Sequence, residues 1–201
     1  MKRLIFVILP RLFTHKMART PSTMIPLGFS IPAFALPDMR SSEQYTFQLR
    51  EDVDAWVIMF ICNHCPFVKH INAELVNLCN EFRNSPVKFI GISSNDAIQY
   101  PMDGPEEMKK HAREAHYDFP YLYDESQDIA RAFDAACTPD FFLFDRNGKL
   151  KYRGQLDDSR PSNGIPVSGK DLRNAINFTL QGEDVPEPHF PSIGCNIKWK
   201  K

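Results

Sequence analysis

Cys62 and Cys65 are the residues whose type and spacing most directly indicate chemistry in this chain of 201 residues. Two residues separate them, and they stand between an apolar run of strand length and a longer segment with helical spacing. Such a pair can be a redox-active dithiol, a static disulfide or half of a metal site. The elements that position the two cysteines decide between these kinds of site.

The pair is predicted to lie at the junction of a buried strand and an amphipathic helix. Residues 55–61 form a continuous apolar run with β-branched and aromatic members, as expected of a strand buried on both faces. Apolar residues then recur at helical spacing through 67–82. A second apolar run at 87–94 follows a segment of crossover length, which predicts a right-handed parallel βαβ unit.

A C-x-x-C pair at this junction favours redox chemistry. The first turn of a helix presents unpaired N–H groups and about half a positive charge, which stabilises a thiolate. Cys62 is predicted to attack and Cys65 to resolve the mixed disulfide. Pro66 is tolerated because its missing N–H belongs to the unpaired first turn. A protonated His64 is predicted to support the Cys62 thiolate and to make the disulfide more oxidising.

Other sites for the pair are less favoured. Zinc would require a second compact ligand pair, but Cys79, Cys137 and Cys195 are isolated in the sequence. A c-type haem would require histidine where Pro66 stands. A copper-binding protein that uses both thiolates and a histidine stays open, because soft thiolates suit Cu(I). The favoured interpretation needs no metal and no organic cofactor.

Composition limits the class of protein. The formal net charge is -1 and no long run of one sign appears, so a nucleic-acid or anionic-membrane binder is not expected. No apolar span reaches the length of a transmembrane helix. Five cysteines, an odd number, favour a reducing compartment, predicted to be the cytoplasm, over a disulfide-rich exported scaffold. A static disulfide would be poorly placed there.

The chain is predicted to form one α/β domain with extensions. Residues 1–16 imitate an export signal poorly and are interpreted as a disordered leader or a mis-annotated start. The domain covers 17–182, beginning with an extended arm and ending in a helix that Gly182 closes. Helices are expected near 106–116 and 126–135, and a hairpin around Asn147-Gly148. Residues 183–201 lack periodicity and are expected to form an extended tail.

Thr138-Pro139 directly precedes an apolar strand, where a cis X-Pro bond is usually a deliberate feature. Together with the strand, the C-x-x-C helix, the second parallel strand and the closing hairpin and helix, it resembles the thioredoxin fold. The resemblance implies a central mixed sheet with flanking helices. It also implies that Pro139 is cis, faces the C-x-x-C pair and offers its backbone to an extended substrate.

Further motifs resemble one superfamily within that fold. "GFSIPAFALPD" is similar to the N-terminal segment of the alkyl hydroperoxide reductase and thiol-specific antioxidant superfamily. The motifs "FICNHCPFVKH", "GISSND", "CTPDFFLFD", "YRGQLDDSRP" and "PSIGCNIKW" together resemble its peroxiredoxin-like subfamily. This resemblance makes an antioxidant thiol peroxidase that uses Cys62 the second candidate.

Peroxiredoxins carry P-x-x-x-T-x-x-C, however, and here Ala55 and Met59 occupy the proline and threonine positions. Arg153 could still supply a positive charge to such a site, although an edge-strand arginine is the simpler interpretation. Thiol-disulfide exchange with protein or small-molecule thiols therefore ranks above peroxide reduction.

Five more residues are candidates for supporting roles. Cys137 and Cys195 are possible auxiliary thiols, with a disulfide between them as one hypothesis, although packing is the simpler interpretation of each. The loop "QLDDSRP" offers Asp157, Asp158 and Arg160 as possible substrate contacts. A solvated turn is the alternative interpretation of that loop.

Overall fold

The computed structural model describes residues 19–201, and the prediction for residues 1–16 lies outside them. Within this range the chain forms ten strands and four α-helices. The strands are β1 Arg19–Pro21, β2 Ala35–Pro37, β3 Gln44–Thr46, β4 Ala55–Phe60, β5 Val87–Ser93, β6 Tyr121–Tyr123, β7 Cys137–Thr138, β8 Asp140–Asp145, β9 Leu150–Gly154 and β10 Ile193–Asn196. The helices are α1 Pro66–Glu81, α2 Pro105–Glu114, α3 Asp128–Ala132 and α4 Lys170–Leu180.

A five-stranded mixed sheet in the order β6-β5-β4-β8-β9 forms the centre of the protein. Strand β4 pairs in parallel with β5 and in antiparallel orientation with β8, so the predicted βαβ unit is confirmed. Strands β8 and β9 form the predicted hairpin. Gly148 in its turn has φ 69°, a left-handed conformation that glycine adopts without a steric penalty. The predicted α/β architecture with a central mixed sheet is therefore correct.

Strand β4 is apolar along its whole length because both faces of the sheet are covered. Val57 and Met59 face the core that helix α1 closes, and Trp56, Ile58 and Phe60 face the opposite core. All five side chains are at most 1% exposed. The first core also holds residues of α2 and α4, and the second is closed by the N-terminal arm and α3. The site at the end of β4 thus stands on a strand held from both sides.

The tail predicted for 183–201 contains a strand that the sequence pattern did not indicate. Strand β10 lies between β1 and β7 in a separate three-stranded antiparallel sheet. Cys195 is paired with Arg19 on one side and with Thr138 on the other. Gly194 permits this approach, because a Cβ there would lie 1.9 Å from the Thr138 carbonyl oxygen. The two ends of the described chain are therefore joined beside β7.

Other differences from the predicted elements are local. Helix α3 is shorter than the predicted 126–135, because Asp134 has a positive φ and ends the helical run. Strand β6 and the β2–β3 pair were not predicted, since three-residue strands carry too little periodicity. Gly182 lies after α4, where it was expected, with φ 75°. None of the helices described is long and apolar enough to cross a bilayer.

Phe133 should contribute strongly to stability. Its buried ring contacts the rings of five other phenylalanines, which are Phe29, Phe34, Phe60, Phe142 and Phe144. Phe133→Ala is expected to lower the free energy of unfolding by about 3–5 kcal/mol through lost burial and a residual cavity. Phe190→Ala is the control, because that side chain is 55% exposed; a change within about 0.5 kcal/mol is expected there. Equal effects in urea denaturation would contradict this account of the core.

Candidate active site

The two cysteines of the C-x-x-C motif lie in the loop between β4 and α1. Helix α1 begins at Pro66, so Cys65 is the N-cap residue and Cys62 precedes the helix by a further three residues. Both side chains are buried, at 1% and 0% exposure. The thiol closest to the unpaired N–H groups of the helix is therefore that of Cys65. The sequence analysis had expected these groups to stabilise the thiolate of Cys62.

Thr138 and Pro139 face this dithiol, and the bond between them is cis. The Thr138 hydroxyl oxygen lies 3.4 Å from the Cys62 sulfur. The Thr138 carbonyl oxygen lies 3.1 Å from the Cys65 sulfur and can accept its proton in a hydrogen bond. One residue of β7 thus contacts both thiols, as the sequence motif predicted for its position.

Cys195 is brought into direct contact with the dithiol. Its sulfur lies 2.7 Å from the sulfur of Cys65, although the two residues are 130 positions apart in the chain. The side chain of Cys137 is directed elsewhere, with its sulfur 3.5 Å from the Pro139 carbonyl oxygen. Of the two possible auxiliary thiols, the structure brings Cys195 to the C-x-x-C pair and packs Cys137 beside it.

The three contacting thiols have different proton affinities. Hydrogen bonds from Cys195 and then from Cys62, together with the N–H of Val68, lower the pKa of the Cys65 thiol. Burial raises the pKa of Cys62, and its hydrogen bond to Cys65 and the charge of Asp103 raise it further. The hydrogen bond that Cys195 donates to Cys65 raises the pKa of Cys195. Of the three thiols, Cys65 is therefore the one whose pKa is lowered, whereas the sequence argument predicted a lowered pKa for Cys62.

His64 is held by a buried carboxylate. Its Nδ1 atom is hydrogen-bonded to Asp103, and its ring stacks on Tyr100 with 5.4 Å between ring centroids. Asp103 also accepts hydrogen bonds from the backbone N–H groups of Asn63 and His64, at 2.9 and 3.1 Å, and from Asn95 at 2.7 Å. The imidazole is thus oriented by Asp103. The sequence did not identify Asp103, because 39 residues separate it from His64.

A metal-ligand set can be formed around the first cysteine. One ligand atom each of Cys62, His64 and Asp103 lies within 4.8 Å of the others. The Asp103 carboxylate already accepts four hydrogen bonds, however, and Cys65 is not part of the set. This arrangement differs from the two-thiolate copper site considered above, which stays a prediction that metal analysis of the purified protein would test.

The charged loop after β9 is stabilised by its own acidic residues. Asp157 is buried and accepts hydrogen bonds from the backbone N–H groups of Ser159, Ser168 and Gly169 at 2.6–2.8 Å. Asp158 pairs with Lys170, the first residue of α4. These bonds fix the loop beside the active site, and the Asp157 carboxylate is directed at the loop itself.

Arg160 lies where this loop approaches the cis-proline. Its guanidinium donates hydrogen bonds to the carbonyl oxygens of Asp157 and Ser159 and to the side chain of Gln155. The narrow crevice between the loop and α1 is lined by Arg160 and Pro139. Substrate contact by Asp157, Asp158 or Arg160 stays a prediction.

Asp140, the residue after the cis-proline, is a further functional candidate that the sequence analysis missed. It is fully buried, and burial raises its pKa to about 7. The Ser22 hydroxyl donates a hydrogen bond of 2.5 Å to one carboxylate oxygen, and the other oxygen has no partner among the described residues. The site therefore has a carboxyl group that can change protonation near neutral pH.

Two replacements of Cys195 should distinguish the effect of its hydrogen bond on the pKa of Cys65 from the effect of its packing. Cys195→Ala removes the thiol that donates to Cys65, so the pKa of Cys65 is expected to rise. Cys195→Ser keeps a donor at this position and should preserve the low pKa of Cys65 much better. The measurement is the ultraviolet absorbance of the thiolate in the reduced protein as a function of pH. Identical titration curves for the two variants would contradict the assigned hydrogen bond.

Comparisons with known proteins agree with this fold. The model of the AhpC/TSA family matches residues 27–153. The search of curated proteins finds no match. An uncharacterized conserved protein from Geobacillus kaustophilus is 56% identical with a TM-score of 0.89, over 92% of this chain and 97% of that one. A hypothetical protein from Sinorhizobium meliloti is 43% identical with a TM-score of 0.87, over 90% of this chain and 98% of that one.

A more distant match identifies the fold. The thioredoxin domain of a thiol-disulfide oxidoreductase from Bacteroides vulgatus superimposes with a TM-score of 0.59 at 18% identity. The match covers 78% of this chain and 99% of that domain. The predicted thioredoxin fold and its mixed sheet are confirmed. With the family model matching more than half of its length, the chain belongs to the AhpC/TSA family of thioredoxin-fold proteins.

Proposed function

We propose that this protein is a thiol-disulfide oxidoreductase in which Cys62 meets the substrate and Cys65 resolves the mixed disulfide. The observation that carries the proposal is the contact of both thiols with Thr138, next to the cis-proline. The lowered pKa of Cys65 adds to it. Membership of a redoxin family supports oxidoreductase chemistry, and thiols or disulfides are the substrates that this chemistry requires.

Proton transfer between the cysteines supplies the nucleophile. Of the two thiols, Cys65 has the lowered pKa and ionises first. Transfer of the Cys62 proton to the Cys65 thiolate leaves Cys62 as the thiolate that attacks one sulfur of a substrate disulfide. The released substrate thiolate takes up a proton from solvent. Burial keeps the Cys62 thiolate poorly solvated and therefore reactive.

Cys65 completes the exchange. Its thiol loses the proton and attacks the Cys62 sulfur of the mixed disulfide, so that a bond between Cys62 and Cys65 forms and the second substrate thiolate leaves. The substrate gains two electrons and the protein loses two. The reverse sequence oxidises a substrate dithiol, and the redox potential decides which direction operates.

The surface beside His64 favours a substrate with apolar groups. Ile98, Tyr100 and Met102 are 86%, 37% and 55% exposed, and they flank the loop that carries Asp103. Met102 also accepts a hydrogen bond from Asn63 through its carbonyl oxygen. Because Cys62 itself is only 1% exposed, a substrate would have to displace part of this loop to reach it. A disulfide in an extended peptide segment fits these requirements.

The cytoplasm stays the proposed location of the protein.

Thiol peroxidase activity is the second candidate, and one contact favours it. The Thr138 hydroxyl lies 3.4 Å from the Cys62 sulfur, close to where a peroxidatic site needs a hydroxyl. Met59 and Ala55 are buried strand residues that offer no such group. Arg153 donates hydrogen bonds to the Ile25 carbonyl oxygen and to His189, so its guanidinium is bonded to groups outside the dithiol. Disulfide exchange remains the better supported function.

Removal of the first thiol should abolish disulfide exchange. Cys62→Ser is expected to reduce turnover of a peptide disulfide to the uncatalysed rate, because no other thiol of the pair can attack the substrate. Cys79→Ser is the matched control, since this cysteine is buried on the apolar face of α1 and should keep wild-type turnover. Substantial activity in Cys62→Ser protein would show that another group attacks the substrate.

Hydrogen peroxide should oxidise the reduced protein slowly. The expected second-order rate constant lies well below those of dedicated thiol peroxidases, because Ala55 and Met59 stand where peroxiredoxins carry the proline and threonine of the peroxidatic pocket. Stopped-flow measurement of the oxidation decides the matter. A rate constant in the range of those peroxidases would reverse the order of the two candidate functions.

A further inference from the structure

The C-terminal strand β10 lies on the cis-proline segment, where the thioredoxin fold offers backbone to a substrate. It pairs with β7 through Cys195 and Thr138 and through Asn196 and Cys137. The chain on either side of β10 is also fixed. The N–H of Ser22 bonds to the Ser192 carbonyl oxygen, and the N–H of Lys198 bonds to Asn95. Cys195 is therefore presented to the dithiol from a fixed strand.

The separation of the sulfur atoms favours exchange between Cys195 and Cys65. The two atoms are 2.7 Å apart, and a disulfide bond is about 2.05 Å long. Gly194 contributes to this closeness because any side chain there would push β10 away from Thr138. A small movement of one sulfur atom is thus enough to form the bond. Cys65 is thus the partner of Cys62 in the C-x-x-C motif and also the cysteine that Cys195 contacts.

We propose that Cys195 is the third thiol of the redox centre and that it exchanges with Cys65 after each oxidation. This inference rests on the proposed function, which produces the Cys62–Cys65 disulfide. The thiolate of Cys195 attacks the Cys65 sulfur of that disulfide. A Cys65–Cys195 bond forms, the Cys62–Cys65 bond breaks, and the proton lost by Cys195 ends on Cys62. The number of electrons in the protein does not change, so no further oxidant is required.

The exchange gives the oxidised protein two disulfide isomers. In the first, Cys62 is joined to Cys65. In the second, Cys62 is a free thiol again, and the disulfide is stored beneath β10, where Cys65 and Cys195 are both at most 3% exposed. Cys65 cannot resolve a mixed disulfide at Cys62 while it is bound to Cys195. The second isomer therefore holds a bound substrate, or stays inactive, until the exchange reverses.

Cys137 provides a neighbouring thiol that should not take part. It is fully buried on β7, but its sulfur contacts the Pro139 carbonyl oxygen and no cysteine. The sulfur of Cys195, by contrast, lies 2.7 Å from that of Cys65, so geometry distinguishes the two thiols. Cys137→Ser is accordingly the matched control for replacement of Cys195.

The test is a disulfide map of protein oxidised by a limiting amount of diamide. The reaction is quenched with acid, free thiols are blocked with N-ethylmaleimide, and the digest is analysed by mass spectrometry. In wild-type and Cys137→Ser protein, peptides joining Cys62 to Cys65 and Cys65 to Cys195 are both expected. On oxidation, Cys62→Ser protein should form the Cys65–Cys195 disulfide, so that its number of free thiols falls by two. The Cys62→Ser, Cys195→Ser double variant should keep all of its free thiols.

The two proposals fail in different ways. If oxidised wild-type protein contains Cys62–Cys65 but no Cys65–Cys195 peptide, the third-thiol inference is overturned and the proposed function stands. If neither disulfide forms while the protein is folded by circular dichroism, the proposed function is overturned as well. Because the decisive map is recorded on wild-type protein, misfolding of a variant cannot mimic either result.

Discussion

The hydrogen-bonded position of the buried Cys65 sulfur is the constraint on which the rest of the site depends. A buried charge is costly unless hydrogen bonds compensate for lost water. Here the groups that lower the pKa of Cys65 are Cys195, then Cys62 and the N–H of Val68 in the first turn of α1. These groups belong to a loop, to a C-terminal strand and to a helix that are far apart in the sequence. The fold must bring all three together before the dithiol can ionise.

The central sheet meets this requirement through buried strands. Strand β4 ends directly before the C-x-x-C loop, and its antiparallel partner β8 begins directly after Pro139. The dithiol and the cis-proline therefore lie at the same edge of the sheet. Strand β10 then pairs with β7 and carries Cys195 to Cys65. Packing on both faces of β4 keeps these positions fixed, which allows the sulfur atoms of Cys65 and Cys195 to lie 2.7 Å apart.

The sequence predicted the features that local patterns encode. The buried run 55–61, the helical spacing of 67–82 and Asn147-Gly148 each specified an element that the structure confirms. Strand β10, the Cys65–Cys195 contact and the Asp103–His64 pair depend on long-range register, which no local period records. The expected low pKa of Cys62 followed from the helix dipole and from His64. Burial outweighs these effects and, with Cys65 and the Asp103 carboxylate, raises the pKa of Cys62, while the pKa of Cys65 is lowered.

The most direct test is equilibrium of the protein with glutathione buffers of increasing oxidation, comparing wild type with Cys65→Ser. Because Cys65 belongs to both proposed disulfides, wild-type protein should show a two-electron transition and the variant should show none. A wild-type midpoint near about -270 mV would indicate a reductase, and one near about -120 mV an oxidant. The same two-electron transition in Cys65→Ser protein would contradict the central role of Cys65.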